Sequence, residues 1–256
     1  MKVAILQRDI IWADPAANVA RAAAAIRDLP SDVRLVVMPE MFSTGFATDP
    51  EGIAESDHSE TLAWMQRTAA DRNCALAGSV AVRAESVASA KPQFFNRFYF
   101  VKPDGTMVSY DKHHLFTYGN EHQHYTAGKN RVVVEWCGIR FLLQVCYDLR
   151  FPVWSRNHDD YDCALYVASW PTPRIEAWNT LMHARAIENQ CYVVGVNRVG
   201  TDPACHYCGG SVVVDAYGRD VAACPRDMES AAVAELDIEA LLAFRKKFPV
   251  LKDRDI

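Results

Sequence analysis

The chain has 256 residues, of which 50% are hydrophobic and 23% charged, a composition typical of one folded α/β domain. The formal net charge of −5 provides no basic surface, so nucleic acid and anionic lipid are not expected as partners. The apolar N-terminal run ends at Gln7, and no apolar stretch approaches the roughly 20 residues that a membrane helix needs. We therefore expect a cytoplasmic protein without membrane association.

The first third of the chain alternates strands with helices. Leu35-Val36-Val37-Met38 is a short, fully apolar run that predicts a buried strand ending at Pro39-Glu40. Asp14 followed by Pro15 predicts a helix start, because Asp caps the first turn and Pro fits its first position. The predicted elements are a strand at 1–7, a helix at 16–28, a strand at 35–38, a helix at 59–72 and a strand at 75–82.

The rest of the chain contains two predicted hairpins and further alternating elements. The turn Lys102-Pro103-Asp104-Gly105 joins β-rich runs at 96–101 and 106–110. Residues 84–93, rich in Ala and Ser, are expected to form a surface loop. The remaining predictions are strands at 139–145, 164–168 and 192–196, a helix at 175–190 and a hairpin turning at 215–218. Because the elements are interleaved without a linker, we expect one domain over 1–256, with strands inside and helices outside.

The eight cysteines are scattered along a long chain, which does not resemble a secreted disulfide framework. Cys205-His206-Tyr207-Cys208 has the C-x-x-C spacing, in a predicted loop before Gly209, but no second ligand pair accompanies it. His113, His114, His122 and His124 are additional candidate ligands, although polar loop histidines beside an active site explain them more simply. We expect no metal and no cofactor, with a zinc-binding protein as the alternative.

Cys146 stands where the strand at 139–145 meets the polar turn Tyr147-Asp148-Leu149-Arg150. A thiol at the C-terminal end of a strand is well placed to act as a nucleophile, because catalytic residues of layered α/β proteins collect there. The alternative is a buried small hydrophobic residue, the commonest fate of a free cysteine.

Glu40 and Lys112 also follow predicted strands, and together with a cysteine they suit amide or nitrile hydrolysis through a thioester. A carboxylate takes the proton of the attacking thiol and later activates water. An ammonium group stabilises the tetrahedral oxyanion, together with the backbone N–H of Tyr147. Taken separately, Glu40 is better explained as an ordinary strand-end acid and Lys112 as a solvated charge.

The surrounding segments decide between these interpretations. Pro39–Phe46, Asp111–Phe116 and Gln144–Pro152 resemble, in order, the three signature segments of the nitrilase superfamily. The resemblance extends over nearly the whole chain, including Ala168–Pro171 and Ala184–Asn189. It implies a four-layer αββα sandwich and a catalytic set of Glu40, Lys112 and Cys146.

The family often uses a second glutamate between the lysine and the cysteine, and Glu121 occupies that stretch. Two carboxylates near one thiol hinder each other's ionisation, which helps to keep one of them protonated. The alternative for Glu121 is a loop acid oriented toward solvent.

Within the superfamily the chain is most similar to the ω-amidases, which hydrolyse the terminal amide of 2-oxoglutaramate and 2-oxosuccinamate. The residues that carry this similarity are His114-Leu115-Phe116, Gly119–Tyr125 and Phe248–Asp253. Such substrates need a cation for the distal carboxylate, and Arg150 and Arg174 are the candidates. Phe116 and Trp170 are expected to form apolar pocket walls. A structural ion pair for either arginine and a core position for either aromatic are the alternatives.

Several competing functions remain open at this stage. An aliphatic nitrilase or an N-carbamoyl amidohydrolase uses the same Glu–Lys–Cys set, and a catalytically silent binding module is compatible with the same scaffold. The resemblance further implies a homodimer or a higher homo-oligomer. The expected interface includes the helix at 175–190 and a C-terminal tail, 244–256, whose apolar residues otherwise have little to pack against.

Overall fold

The computed structural model describes residues 1–85 and 91–255. The strands in chain order are β1 (Lys2–Gln7), β2 (Val33–Val37), β3 (Glu55–Ser56), β4 (Ala75–Ala84), β5 (Gln93–Val101), β6 (Met107–Asp111), β7 (Val133–Trp136), β8 (Ile139–Val145), β9 (Cys163–Ala168), β10 (Tyr192–Asn197), β11 (Val199–Thr201), β12 (His206–Cys208), β13 (Val212–Val214), β14 (Asp220–Ala223) and β15 (Ser230–Glu235). The helices are α1 (Pro15–Arg27), α2 (Glu60–Arg72), α3 (Glu121–His124), α4 (Ile175–Glu188) and α5 (Ile238–Lys247).

Most of the strands form two mixed sheets. The first has the order β15-β1-β2-β4-β5-β6, with β3 paired to β4, and the second has the order β14-β13-β10-β9-β8-β7. Parallel pairs occupy the middle of each sheet: β1 with β2 and β2 with β4 in the first, β8 with β9 and β9 with β10 in the second. A separate hairpin pairs β11 with β12. In parallel strands the carboxyl ends meet at one edge, which is where the polar residues of this protein gather.

Three apolar clusters define four layers. The first lies between the two sheets, where Val37 and Phe98 of one sheet share a cluster with Leu143 and Val167 of the other. The second joins α1 and α2 to the outer face of the first sheet, and the third joins α4 to the outer face of the second sheet. The predicted αββα sandwich is therefore confirmed.

The predicted strands and helices agree with these elements to within a few residues. Asp14 caps α1 through Ala17 N, and Ser59 caps α2 through Leu62 N. The predicted loop at 84–93 includes 86–90, which lie outside the described residues. The predicted loop around Cys205–Cys208 is wrong in part, because His206–Cys208 is strand β12, hydrogen-bonded to β11. The predicted tail at 244–256 begins within α5 and continues into a 3-10 turn at Val250–Asp253.

Within residues 1–85 and 91–255, none of the helices has the length and apolar character needed to span a membrane.

Candidate active site

Three strand ends bring the predicted chemical groups to one place between the sheets. Glu40 follows β2, Lys112 follows β6 directly, and Cys146 follows β8 directly. Glu40 and Lys112 are fully buried, whereas Cys146 is half-buried at the start of a 3-10 turn, Cys146–Arg150. The turn gives Cys146 a left-handed backbone with a φ of 46°. A non-glycine residue in that region is held there by its surroundings, a feature that is concentrated at functional sites.

The ammonium group of Lys112 lies between two buried carboxylates. Its Nζ is 3.0 Å from Glu40 Oε1 and 2.9 Å from Glu121 Oε2. Glu121, the first residue of α3, is fully buried and also accepts a hydrogen bond from Phe116 N at 2.6 Å. The alternative of a solvent-oriented loop acid at this position is therefore wrong. Lys112 Nζ also lies 5.2 Å from the ring centroid of Phe46, a residue that lines the neighbouring cavity.

Asn96 bridges the carboxylates of Glu40 and Glu121. It was not among the predicted site residues. Its amide Nδ2 donates to Glu40 Oε1 at 2.7 Å and to Glu121 Oε1 at 3.1 Å. The second carboxylate oxygen of Glu40 accepts from Ser169 N at 2.8 Å, after the end of β9. Glu40 is thus fixed from both sheets, with contacts from Lys112, Asn96 and Ser169.

The ionisation of these groups is set mainly by burial and by the excess of carboxylates. Burial and the neighbouring Glu40 raise the pKa of the Cys146 thiol well above its usual value, which Lys112 only partly offsets. Burial by itself lowers the pKa of Lys112, but Glu121 and Glu40 raise it above its usual value. Burial also raises the pKa of Glu121, against the opposing effect of Lys112. Near neutral pH the lysine is an ammonium and the cysteine a neutral thiol, so the thiol needs a base to become a nucleophile.

A cavity of about 760 Å³ opens directly onto Cys146. All five residues predicted to bind substrate line it: Phe116, Tyr147, Arg150, Trp170 and Arg174. The cavity lining does not include the fully buried side chains of Glu40, Lys112 and Glu121. Cys146 lines the cavity and therefore connects these charged side chains to it. The opposite wall is the β11–β12 hairpin, which contributes Asp202, Cys205 and Tyr207 and was not predicted.

The two arginines of the cavity contact aromatic rings. Arg150 lies over Trp170 with its guanidinium carbon 4.9 Å from the ring centroid, and Arg174 lies over Phe116 at 5.3 Å. Neither is engaged in a salt bridge with another residue of the described ranges 1–85 and 91–255. The alternative of a structural ion pair therefore does not apply to either arginine, and both charges are available to an anionic ligand.

The histidines near the site have structural partners. His113 stacks on Trp154 at 3.7 Å, and its Nδ1 lies 2.6 Å from Gly128 O. His114 stacks on Phe151 at 3.8 Å. In the described part of the chain, no group of three or more His, Cys, Asp or Glu side chains is arranged to hold a metal ion. Cys205 and Cys208 are free thiols, and Cys205 lines the cavity.

Comparison with known proteins agrees with this geometry. Residues 2–246 match the Carbon-nitrogen hydrolase family. The chain belongs to the carbon-nitrogen hydrolases. It is 46% identical to omega-amidase YafV of Yersinia enterocolitica, over 100% of this chain and 97% of the relative. It is 33% identical to 2-oxoglutaramate amidase of Bacillus subtilis, over 98% of this chain and 96% of the relative.

The fold of this carbon-nitrogen hydrolase is shared with solved structures. A CN-hydrolase superfamily protein from Xanthomonas campestris, described with an arsenic adduct in its active site, has a TM-score of 0.94 and 40% identity. That likeness covers 100% of this chain and 97% of the Xanthomonas chain. The predicted membership of the nitrilase superfamily is confirmed.

Proposed function

We propose that this carbon-nitrogen hydrolase is an ω-amidase that converts 2-oxoglutaramate or 2-oxosuccinamate into the 2-oxo dicarboxylate and ammonia. The observation that carries the proposal is a cavity in which Cys146 shares the walls with Arg150 and Arg174, two arginines without a carboxylate partner in the described chain. A guanidinium group binds a carboxylate with two parallel hydrogen bonds, so an ω-amide with a distal carboxylate suits this cavity. The names of the relatives in Yersinia and Bacillus support the same reaction.

In the proposed reaction, Cys146 attacks the amide carbon while Glu40 takes the thiol proton. The negative charge on the carbonyl oxygen is stabilised by the Lys112 ammonium and the Tyr147 N–H, since the first N–H groups of a helical turn have no partner within it. Glu40 then returns its proton to the nitrogen, and ammonia leaves a thioester on Cys146. Glu40 next removes a proton from water, and the resulting hydroxide adds to the thioester carbon. The C–S bond then breaks, the dicarboxylate leaves, and Glu40 returns its proton to the Cys146 sulfur.

Glu121 supports this reaction without touching the cavity. Its two contacts with Nζ hold the Lys112 side chain beside Glu40. Because Glu121 also accepts from Phe116 N, it links the lysine to the loop that carries one wall of the cavity. We expect it to orient Lys112, while Glu40 alone transfers protons.

The first experiment measures ammonia release from 2-oxosuccinamate and from butyramide by the wild type and by Cys146→Ala. We expect the wild type to prefer the keto-acid amide by at least about 100-fold in kcat/KM, because only this amide has a carboxylate for the arginines. The alanine variant is expected to be inactive on both. Equal activity on the two amides would contradict the ω-amidase proposal and leave the nucleophile intact.

Two other reactions give distinct outcomes in the same assay. Hydrolysis of aliphatic nitriles or N-carbamoyl amino acids, with no ammonia from 2-oxosuccinamate, would assign the protein to another branch of the family. A wild type that is inactive on all of these compounds would indicate a binding module.

We further propose that the protein is cytoplasmic and forms a homo-oligomer through α4 and the C-terminal segment 244–256. Ile187 of α4 (52%) and Phe248 of the C-terminal segment (58%) are more than half exposed, as is Tyr217 (56%) in the turn between β13 and β14. Phe244 joins Tyr217 to Phe248 in one aromatic patch, with ring centroids 4.1 Å and 6.2 Å apart. A continuous apolar patch of this kind is typical of a protein interface. Sedimentation of the wild type and of Phe248→Asp tests the assignment.

A further inference from the structure

Asp148 is a buried carboxylate that the proposed reaction does not use. It lies two residues after Cys146 in the same 3-10 turn and is fully buried. Its Oδ2 accepts hydrogen bonds from Val145 N at 3.0 Å and from the Tyr110 hydroxyl at 2.7 Å. Its Oδ1 accepts from His114 N at 2.9 Å and lies 2.8 Å from His114 Nδ1. All four contacts therefore bring a nitrogen or a hydroxyl to a single carboxylate.

These contacts join two strand ends that belong to different sheets. Val145 is the last residue of β8 and immediately precedes Cys146. Tyr110 and His114 stand two residues before and two residues after Lys112, at the end of β6. Asp148 is thus connected to the backbone on the N-terminal side of the cysteine and to both flanks of the lysine.

The tyrosine contact is itself fixed from two further directions. The Tyr110 hydroxyl donates to Asp148 and accepts from Trp154 Nε1 at 3.1 Å and from His113 N at 3.2 Å. His114 is held by its stack on Phe151. The carboxylate consequently has rigid partners, and a buried network of this kind strongly restricts the positions of the groups it joins.

The backbone conformation of Cys146 indicates what these contacts stabilise. A φ of 46° is unfavourable for a residue with a side chain, and such a backbone persists only where neighbouring contacts enforce it. The bond from Val145 N to Asp148 closes the turn across Cys146 and therefore opposes its relaxation. If the turn relaxed, the thiol would move away from the fixed Glu40 and Lys112 groups.

We propose that Asp148 is a positioning residue that holds the Cys146 turn against the Lys112 strand and so sets the geometry of thiol attack. The inference rests on the proposed function in taking Cys146 as the nucleophile. It goes beyond that function by assigning the alignment of the cysteine and the lysine to one carboxylate that touches neither substrate nor thiol.

The test compares Asp148→Asn with Asp162→Asn. The asparagine has the shape of the aspartate but presents an NH₂ group to at least one donor, so it breaks part of the clamp. Asp162 is the matched control, because it is also a buried carboxylate that accepts several hydrogen bonds. Its donors include Arg140, at the opposite end of β8, with Arg140 Nε at 2.9 Å and Arg140 Nη2 at 2.8 Å. Both variants are expected to have a lower Tm than the wild type.

The two variants should differ in chemistry. For Asp148→Asn we expect kcat on 2-oxosuccinamate to fall by about 100-fold with KM changed by less than about threefold, because the nucleophile is misplaced while the cavity remains. For Asp162→Asn we expect kcat and KM to equal those of the wild type at 25 °C. Loss of Tm without loss of kcat in both variants would overturn the proposal.

A second readout does not depend on the substrate assignment. Alkylation of Cys146 by iodoacetamide at pH 7 is measured from the mass of the peptide that contains it. The reaction requires Glu40 to remove the proton of a thiol that is neutral at this pH. We expect the rate to fall about tenfold in Asp148→Asn and to stay unchanged in Asp162→Asn. A wild type that is alkylated quickly but inactive on the ω-amide would refute the proposed function alone, whereas equal alkylation of wild type and Asp148→Asn would refute the positioning role.

Should Asp148→Asn fail to fold, Tyr110→Phe tests the same inference by deleting one contact of the clamp. We expect about a tenfold loss of kcat and a slower alkylation of Cys146. Tyr161→Phe is its control, since it deletes the hydroxyl of another fully buried tyrosine, which donates to Ser155 O at 2.6 Å. Wild-type kcat and alkylation in Tyr110→Phe would then contradict the proposal.

Discussion

At the scale of single residues, the site is a small cluster of charged side chains whose ionisation states depend on one another. Glu40 and Glu121 contact one ammonium, Lys112, and Asn96 donates to both carboxylates. An amide is suited to this position because it contributes two donors without a charge. A cation would neutralise the carboxylate that we propose takes the thiol proton, and a further acid would repel the two glutamates.

Replacing Asn96 by Asp places a third carboxyl beside two others. Like charges at this distance favour uptake of a proton by the cluster, so the base is neutralised over a wider pH range. We expect kcat/KM at pH 7 to fall by at least about 100-fold, with the acid limb of the pH profile moved to higher pH. The profile of kcat/KM against pH checks this outcome.

Asn157→Asp is the control for the burial of an added charge. Asn157 is fully buried in the loop before β9 and donates to Tyr161 O and Asn189 O, both at 3.0 Å. We expect this variant to lose stability while it keeps the wild-type pH profile. An unchanged profile in Asn96→Asp as well would argue against a shared proton in the cluster.

At the scale of elements, the β11–β12 hairpin depends on close contact with the end of β1. Gly200 has a φ of 88°, and a Cβ at this position would lie 2.0 Å from Asp9 Oδ1. The same Asp9 oxygen accepts from Arg198 Nη2 at 3.1 Å. Because the hairpin forms one wall of the cavity, a small displacement at Gly200 is transmitted to Asp202 and Tyr207.

Gly200→Ala should therefore affect both stability and substrate binding. Alanine in the left-handed region costs about 1 kcal/mol of the free energy of unfolding, and the clash with Asp9 adds to it. We expect KM to rise about tenfold, a loss of about 1.4 kcal/mol in binding. Denaturant unfolding and steady-state kinetics measure the two effects.

Gly105→Ala separates the backbone effect from the clash. Gly105 has a φ of 85°, but a Cβ there meets no atom within 4 Å. This variant should lose about 1 kcal/mol of stability and keep the wild-type KM. If Gly200→Ala also kept its KM, the hairpin would not control the shape of the cavity.

At the scale of the whole molecule, the buried thiols lower the free energy of unfolding at alkaline pH. Burial raises the pKa of Cys191 to about 12, whereas an unfolded cysteine has a pKa of about 8.5. Above pH 8.5 the unfolded chain has lost a proton that the folded chain keeps, so the free energy of unfolding falls. The stability contribution is complete below pH 8.5 and is lost as the pH rises toward 12.

Cys191→Ala removes this contribution. We expect the free energy of unfolding of the wild type to decline by about 1.4 kcal/mol per pH unit more steeply than that of the variant between pH 9 and 10. Cys137→Ala, at an exposed cysteine, is the control and should leave the slope unchanged. Parallel curves for wild type and Cys191→Ala, from urea unfolding across this range, would contradict this expected pH dependence.

Local sequence determined much of this protein. The caps at Asp14 and Ser59, the turn before Gly105 and the apolar runs predict the elements, because each depends on neighbours within a few residues. The resemblance of the three signature segments to the nitrilase superfamily indicated Glu40, Lys112 and Cys146, which the residue types alone did not. The predicted Lys102–Gly105 turn also made the position of Asn96 predictable. The turn pairs β5 with β6, and extending this pairing by one residue places Asn96 opposite Lys112.

Only the tertiary structure decided which groups share the site. Lys112 and Glu40 are 72 residues apart in the chain, and Ser169 reaches Glu40 from 129 residues away. Asp148 and the β11–β12 hairpin acquire their positions from the packing of the two sheets, for which no short segment carries a pattern. The same packing decided that Glu121 is buried and that Arg150 and Arg174 line the cavity without a salt bridge in the described chain, because burial and pairing depend on every element that meets at the cavity.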